Sequence, residues 1–162
     1  MKKILIYLLL VATVLFLVAC KDTNDPTQEE SKTYTFTSGT TKIAIDANVA
    51  PMLASLGEWR DYAESASCAF EGLDKIYTYA GFEIQTYPMG EEDFVYMIIL
   101  QDDTVATEKG IRIGDAKEAV VTSYGTPDQE TASALTYNGG GMYLQFILRD
   151  GAVTSIQYGK AQ

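Results

Sequence analysis

The sequence predicts an α+β domain in which short helices pack on one face of an antiparallel β-sheet. Three observations lead to this prediction. A short helical pattern followed by several strand-like runs occurs twice along the chain. The runs are separated by glycine-containing turns of the kind that joins antiparallel neighbours. With 47% hydrophobic and 21% charged residues, the composition is that of a globular protein and not of a disordered one.

The first twenty residues have the pattern of an export signal. Lys2 and Lys3 precede an apolar run over residues 4–18, which is typical of a secretory signal peptide and short for a membrane span. The run ends at Leu17-Val18-Ala19-Cys20, which resembles the lipobox of bacterial lipoproteins. The resemblance implies that residues 1–19 are removed and that lipid is attached to the sulfur of Cys20. An uncleaved N-terminal helix is the alternative.

A lipidated Cys20 predicts a protein anchored to the cell membrane on its extracytoplasmic side. Two or three acyl chains bind a bilayer stably, whereas a single chain binds it only weakly. Residues 21–33 contain no apolar side chain, so segment 20–33 is interpreted as the lipidated cysteine with a flexible tether. A docking segment for a partner is the alternative. The net charge of −10 disfavours nucleic acid as a partner, and lipid must supply the membrane attachment because anionic headgroups would repel the chain.

Residues 34–162 are predicted to form the α+β domain, and they contain an internal repeat. A shift of 68 residues aligns Leu56-Gly57 with Tyr124-Gly125, and a shift of 58 residues aligns Tyr79 with Tyr137. Such self-similarity predicts two tandem units. Their approximate bounds are 41–103 and 109–160. Because a unit of about sixty-five residues buries little core, one continuous sheet with one shared core is expected.

Each unit begins with a predicted helix. In the second unit, Asp115 as N-cap and Glu118 as its capping-box partner predict a helix of about ten residues that stops at Gly125. In the first unit, Asn48 or Asp46 is the predicted cap, and a proline falls in the tolerated first turn. A glycine again follows the last apolar position of the helix.

Strand-like runs follow each helix and also precede the first one. After the helices, the connectors 59–72 and 128–134 are expected to be irregular. A hairpin ahead of both units is predicted to pair 33–37 with 42–45. The runs rich in Tyr, Ile, Val and Phe that predict a meander in each unit are 76–79, 81–87, 94–100, 135–137, 142–148 and 153–158.

The segment from Ile111 to Pro127 resembles the "IxxGxxxxxVxxxxGxP" segment of small bacterial lipoproteins of the SmpA/OmlA kind. It is also similar to the β-lactamase-inhibitor-protein-like fold, whose members carry a helical pair on an antiparallel meander, sometimes in tandem. In the first unit, Asp46 stands where Gly114 stands in the second. The resemblance implies a non-enzymatic protein-binding or scaffold role and a sheet face used for contact. No residue here matches an inhibitory one.

Alternation along two strands predicts which side chains face solvent. The apolar sets of 82–87 and 142–148 should face the helices, which leaves a polar and aromatic set on the open side. Tyr is enriched where proteins meet, although it also simply suits half-exposed strands. The candidate partner-binding residues are Glu83, Gln85, Tyr87, Tyr143 and Gln145.

Little in the sequence points to catalysis or to a cofactor. The chain has no histidine, which excludes His-based triads and His-ligated zinc. The acidic runs 91–93 and 102–103 could bind Ca²⁺ through oxygen ligands, but solvated loop charge is favoured, and no metal or cofactor is predicted. Cys68 has no intrachain partner if Cys20 is lipidated, and it is expected to be buried as a small hydrophobe, with a reactive thiol as the alternative.

Together these observations predict a non-enzymatic lipoprotein. It would be lipid-anchored on the extracytoplasmic side and would bind or scaffold an envelope protein through the open sheet face. A small-ligand or ion-binding surface lipoprotein is the alternative, and a hydrolase is less favoured because no nucleophile motif is present.

Overall fold

A computed structural model describes residues 32–161 of the chain. The predicted signal peptide, Cys20 and most of the predicted tether lie outside the described residues. Within them, the chain forms a two-stranded hairpin, an eight-stranded antiparallel sheet and two short helices. This confirms the predicted α+β class.

The elements follow one another in a regular order. The hairpin comes first, and each helix is followed by four strands. The bounds are β1 (Phe36–Ser38), β2 (Thr41–Ile43), α1 (Ala50–Leu56), β3 (Asp61–Ala66), β4 (Leu73–Thr78), β5 (Phe82–Met89), β6 (Glu92–Leu100), α2 (Lys117–Tyr124), β7 (Gln129–Glu130), β8 (Ala134–Gly139), β9 (Met142–Arg149) and β10 (Ala152–Lys160).

The eight-stranded sheet runs in the order β3-β4-β5-β6-β10-β9-β8-β7, with every pair antiparallel. At its centre β6 pairs with β10, with Leu100 opposite Ile156 and Met97 opposite Gly159. The four strands that follow α1 therefore lie on one side of this central pair, and the four that follow α2 lie on the other. These eight strands form one continuous sheet, as expected from the small size of each half.

One face of the sheet forms the hydrophobic core together with the hairpin and both helices. Phe36 and Ile43 of the hairpin are fully buried there, as is Val120 of α2. The apolar residues that the sequence assigns to the inner face are buried as predicted; they are Phe82, Ile84, Thr86, Met142, Leu144, Phe146 and Leu148. The opposite face is left for other contacts.

The predicted capping box of α2 is wrong. The N-cap residue is Ala116 and no side chain caps the helix, while the Asp115 carboxylate accepts from the Arg112 N–H at 2.8 Å one turn earlier. The sheet sets the start of the helix instead, because Ala116 bridges to Ala152 and the Lys117 N–H donates to Gly151.

In α1 one of the two proposed caps does contact the first turn. The N-cap residue is Val49, but the Asn48 side-chain oxygen accepts from the Ala50 N–H at 2.9 Å. Asp46 makes no such bond and has φ 67°, in the left-handed region. Pro51 lies in the first turn, as predicted.

The connectors predicted to be irregular contain strands. Segment 59–72 includes β3, and segment 128–134 includes the two-residue β7. Every residue of β3 is exposed, so its sequence shows no alternation of buried and exposed positions from which a strand could be predicted. Over residues 32–161, no helix is long and apolar enough to span a membrane.

Candidate functional site

Two rows of side chains cross the face of the sheet opposite the helices, which we call the open face. Each row follows the cross-strand register through six strands, from β4 to β8. The first row contains Thr78, Glu83, Ile99, Gln157, Gln145 and Thr136. The second contains Ile76, Gln85, Met97, Gly159, Tyr143 and Asn138. On the four central strands, every row residue is partly exposed except Gly159, which is buried.

Four of the five candidate residues lie in these two rows. Glu83 and Gln145 belong to the first row, and Gln85 and Tyr143 belong to the second. Glu83 accepts from Gln85 Nε2 at 2.7 Å through one oxygen and from Gln101 Nε2 at 2.7 Å through the other. These contacts place carboxylate and carboxamide groups on a continuous surface, which offers hydrogen-bond donors and acceptors to a partner. Their role in binding stays a prediction.

Tyr143 lies across a glycine of the neighbouring strand. It faces Gly159, and a Cβ on that glycine would come within 2.3 Å of Tyr143 Cζ. Partial burial raises the pKa of the Tyr143 hydroxyl. The Tyr143 ring therefore packs in a defined position on the open face. Side chains that contribute most to an interface are typically well packed in this way.

The fifth candidate, Tyr87, is not displayed on the open face. Its side chain is only 3% exposed. The β5–β6 bulge leaves Tyr96 of β6 unpaired, so β5 keeps its two-residue alternation. Tyr87 is instead removed from solvent by its neighbours, because Asp46 and Lys160 contact its hydroxyl. The ring is also covered by Phe70, whose centroid lies 4.9 Å away, and by Phe94 at 5.9 Å.

The buried Tyr87 hydroxyl belongs to a polar cluster that the sequence did not predict. It donates to the Asp46 carboxylate, and Lys160 Nζ lies 2.7 Å from that carboxylate and 2.9 Å from the Tyr87 oxygen. A hydrogen bond from Lys160, and a weaker effect of the hydrogen bond from Tyr87, lower the pKa of Asp46. The contact with Asp46 raises the pKa of Lys160. Through these three side chains, the loop before α1 is hydrogen-bonded to the ends of β5 and β10.

A groove of about 450 Å³ lies beside Tyr87. Its lining comes from the neighbouring strands β3, β4, β5 and β6 and from the loop Ser67 to Phe70. Ile76 and Gln85 of this lining belong to the second row of the open face. Its apolar lining comes from Phe70, Ile76, Tyr87 and Tyr96, and its charged lining comes from Glu64, Asp74 and Lys75. The Lys75 ammonium is bound by Asp93 at 2.6 Å. The remaining charge on the lining is therefore acidic.

Cys68 also lines this groove, and the prediction that it is buried is wrong. The thiol is exposed because residue 68 lies in the β3–β4 loop and not in the core. Ser67 Oγ accepts from the N–H groups of Ala69 and Phe70 at 3.4 and 3.3 Å, which holds the loop in a tight turn. Among the residues described, Cys68 has no disulfide partner.

A second, smaller cavity of about 210 Å³ lies near the start of the domain. Tyr34, Tyr124 and Tyr158 line it, together with Glu108 and Lys109. Tyr158 is 1% exposed, and its hydroxyl has no hydrogen-bond partner in the part of the chain described. Burial is the main cause that raises its pKa, followed by the nearby Tyr124 and Glu108.

Of the acidic runs considered for calcium, 102–103 lies in a loop, and 91–93 spans the β5–β6 turn and the start of β6. Asp102 accepts from both the N–H and the hydroxyl of Thr104, at 2.9 and 2.5 Å, and thus stabilises its own turn. The second run lies at the β5–β6 turn, where Glu92 accepts from Asn48 at 2.8 Å. Between residues 32 and 161, no three Asp, Glu or Cys side chains are grouped so as to bind a metal ion.

Comparison with known proteins adds one distant likeness. No model of a protein family matches the chain, and no curated protein matches it. A matching solved structure is that of an extracellular protein containing an SCP domain from Bacillus anthracis strain Ames, with 12% identity and a TM-score of 0.44. The match covers 87% of this chain and 50% of that one, so the chain spans about half of its length. At these values the likeness assigns no function.

Proposed function

We propose that the protein is a lipid-anchored, extracytoplasmic lipoprotein that binds or scaffolds an envelope protein through the open face of its sheet, and that it is not an enzyme. The observation that carries this proposal is the pair of side-chain rows across the open face. Both helices pack on the opposite face, so the rows, which cross six strands, stay accessible except at the buried Gly159 and Thr136. Six strands at about 4.8 Å spacing give a surface wide enough for a protein partner.

The chemistry of the rows supports a protein partner. Gln85, Gln145 and Gln157 offer amide donors and acceptors, while Met97 and Tyr143 supply apolar area. A mixture of this kind, with an aromatic residue and a methionine inside a polar surround, is typical of protein interfaces. The partner would lie across the central β6–β10 pair.

The anchor is proposed from the lipobox-like residues that end in Cys20. Changing Cys20→Ala in the full-length chain should move the protein from the membrane fraction to the soluble fraction, and it should abolish labelling with a radioactive fatty acid. Cys68→Ala is the matched control, because it removes the other cysteine of the chain and should leave both properties unchanged. Persistent lipid labelling of the Cys20→Ala variant would exclude this anchor.

We also propose that the domain consists of two tandem units of the β-lactamase-inhibitor-like kind. Four backbone hydrogen bonds of the first half have equivalents in the second half. In each bond, the residue between 46 and 60 corresponds to the residue 68 positions later, and its partner between 78 and 95 corresponds to the residue 58 positions later. The bonds in the first half are Asp46 N to Val95 O, Val49 N to Asp93 O, Val95 N to Ala47 O and Arg60 N to Thr78 O. Their counterparts are Gly114 N to Val153 O, Lys117 N to Gly151 O, Val153 N to Asp115 O and Asp128 N to Thr136 O.

A side-chain contact follows the same rule. The Tyr79 hydroxyl donates to the carbonyl of Gly57 at 3.3 Å, and the Tyr137 hydroxyl donates to the carbonyl of Gly125 at 3.0 Å. In each half, a tyrosine thus binds the residue that ends the helix. Asp46, where the second unit has Gly114, keeps the positive φ of that glycine. These equivalences support a duplicated unit.

Site-directed crosslinking in intact cells tests the binding role. A photoreactive amino acid in place of Gln157, at the centre of the open face, should crosslink to one envelope protein. The same group in place of Ser55, which is exposed on α1, should not crosslink to it. The additional change Gln145→Arg should abolish the crosslink without altering the amount of protein in the membrane.

Two results would contradict the proposal. A crosslink from position 55 with none from position 157 would place the partner on the helix side. Equal recovery with and without Gln145→Arg would show that the open face does not determine binding.

A further inference from the structure

The two halves of the domain differ by ten residues, and these residues build the groove. Eighteen positions separate Arg60 from Thr78, but only eight separate the corresponding Asp128 from Thr136. The extra residues lengthen β3 and form the loop that joins it to β4. The second half has only the two-residue β7 at this place. In repeated architectures, an insertion in one unit commonly carries the binding surface.

The inserted strand β3 has an available edge. It lies at one end of the sheet order, and among residues 32–161 no strand pairs with its outer side. Six consecutive residues pair with β4 without a bulge. The strand contains no proline and no lysine, which are the residues that commonly block an edge against a further strand.

The backbone of β3 presents donors outward. The Ser67 N–H donates to Gly72 in the hairpin, and antiparallel alternation then directs the N–H groups of Ala66 and Glu64 away from β4. The Tyr62 N–H, next in this series, donates to the Asp61 side chain at 2.9 Å instead of to a strand. The outer edge is thus ready to bond an extended chain.

The groove beside this edge would receive side chains from such a chain. Ala63 and Ser65 of β3 and Ala69 of the loop are small, and the space they leave is lined by Phe70, Ile76 and Tyr96. A volume of about 450 Å³ holds one or two large apolar side chains. In a strand added to β3, alternate residues would point over this face.

The charged residues around the groove indicate which charges the bound polypeptide segment should carry. Glu64 and Asp74 line the groove, and the cation there, Lys75, is held by Asp93 at 2.6 Å. Asp61 lies at the start of the same edge strand. By alternation, Asp61 and Asp74 lie on the face of Ala63 and Ser65, whereas Glu64 lies on the other face. Basic side chains of an added strand would therefore meet an acidic residue on either face, whereas an acidic segment would be repelled.

We infer that β3 and the groove beside it bind an extended polypeptide segment of the partner as an additional β-strand, with alternating basic residues and an apolar anchor in the groove. The inference rests on the proposed role in protein binding. It goes further by assigning the insertion of the first half as the site that recognises the segment.

The single tryptophan of the chain reports on this edge. Trp59 lies two residues before the start of β3, is 44% exposed, and its ring centroid is 5.9 Å from that of Tyr62. We would titrate the full-length mature lipoprotein, in detergent, with a peptide of about seven residues in which Lys alternates with Val and Phe. Binding should shift Trp59 emission to shorter wavelength and protect it from acrylamide quenching. A peptide with Glu in place of Lys should have no effect.

Two variants test the geometry and the charge separately. Ala66→Pro removes an outward N–H and should weaken binding roughly tenfold or more, because an edge strand tolerates proline while the added strand loses a bond. Glu64→Lys should also weaken binding, and more so at low salt. Glu118→Lys is the matched control, since it makes the same charge change at an exposed position of α2 and should leave binding unchanged.

The outcomes separate this inference from the proposed function. Absence of a Trp59 response up to about 1 mM peptide, equal binding of the acidic peptide, or unchanged binding by both Ala66→Pro and Glu64→Lys would overturn the groove as a peptide site. A crosslink from position 157 would in that case still support the open face. Peptide binding without any crosslink to an envelope protein would support the groove and overturn the envelope role.

Discussion

At the scale of single residues, the buried tyrosines differ in what their hydroxyls contact. Tyr137 donates to Gly125 at 3.0 Å, whereas the Tyr158 hydroxyl has no partner among the residues described. A buried hydroxyl without a partner costs free energy, while a bonded one contributes about 1 kcal/mol. Tyr158→Phe should therefore leave the free energy of unfolding unchanged or increase it, and Tyr137→Phe should lower it by about 1 kcal/mol.

Urea unfolding of the two variants beside the parent chain measures this difference. The two substitutions remove the same atom from rings that are both about 1% exposed, so each serves as the control for the other. A loss of stability in Tyr158→Phe similar to that in Tyr137→Phe would mean that the Tyr158 hydroxyl is satisfied, for example by water in the adjoining cavity.

The lowered pKa of Asp46 predicts that the free energy of unfolding depends on pH. Bonds from Lys160 and Tyr87 lower its pKa below the ordinary 3.8, so the ionised form is favoured by folding. Its contribution to the free energy of unfolding is complete above about pH 5 and is lost as the pH falls through the folded-state pKa. The stability advantage of the parent chain over Asp46→Asn should thus shrink between pH 7 and pH 3.

Urea midpoints of both chains at several pH values give the comparison. Asparagine tolerates the left-handed backbone of position 46, so that the substitution changes charge more than conformation. An advantage over Asp46→Asn that is constant down to pH 3 would contradict the assigned role of the carboxylate.

Single residues also show where sequence reasoning ends. The apolar positions of the inner face were predicted because alternation is regular in most strands. The exposure of Tyr87 was mispredicted because Phe70 and Lys160, which cover it, come from distant segments of the chain. Cys68 was misplaced because its exposure depends on a loop that residue type alone does not reveal. Lys160 and Asp46, 114 positions apart, meet only through the fold.

At the scale of elements, strands with a buried face could be predicted and those without one could not. β5, β9 and β10 alternate buried and exposed residues, and their sequences show it. β3, with the sequence DYAESA, is exposed throughout and contains residues of low strand propensity. Only its hydrogen bonds to β4 make it a strand, so the candidate groove was not predictable.

The pairing of β9 with β10 offers a test of the open face. Gly159→Ala should destabilise the domain by about 1–2 kcal/mol, because its Cβ would overlap Tyr143. In a Tyr143→Ser background the same change should cost less than about 0.5 kcal/mol. A double-mutant cycle by chemical unfolding measures the coupling. Equal costs in both backgrounds would show that the ring does not lie across the glycine.

At the scale of the whole molecule, the central β6–β10 pair predicts that both halves unfold together. Val120 of α2 is fully buried in the shared core, while Trp59 belongs to the first half. Val120→Ala should lower the free energy of unfolding by about 2 kcal/mol. The same shift of the midpoint should be seen by Trp59 fluorescence and by far-ultraviolet circular dichroism.

The exposed Glu118 of the same helix provides the control for this measurement, because Glu118→Ala should change neither signal appreciably. A Trp59 transition that stays at its original midpoint in Val120→Ala would indicate that the first half is an independent folding unit.

On each side of the central β6–β10 pair, the strands follow one another in chain order from the edge of the sheet to its centre. This symmetry has an evolutionary implication. In a chain that held a single such unit, the last strand would have no neighbour, and two molecules could associate by pairing these strands antiparallel across a twofold axis. Gene duplication and fusion would then join the subunits of this homodimer into one polypeptide. After such a fusion, the sequences of the two halves would no longer need to be identical, so that one half could acquire an insertion while the other is left unchanged.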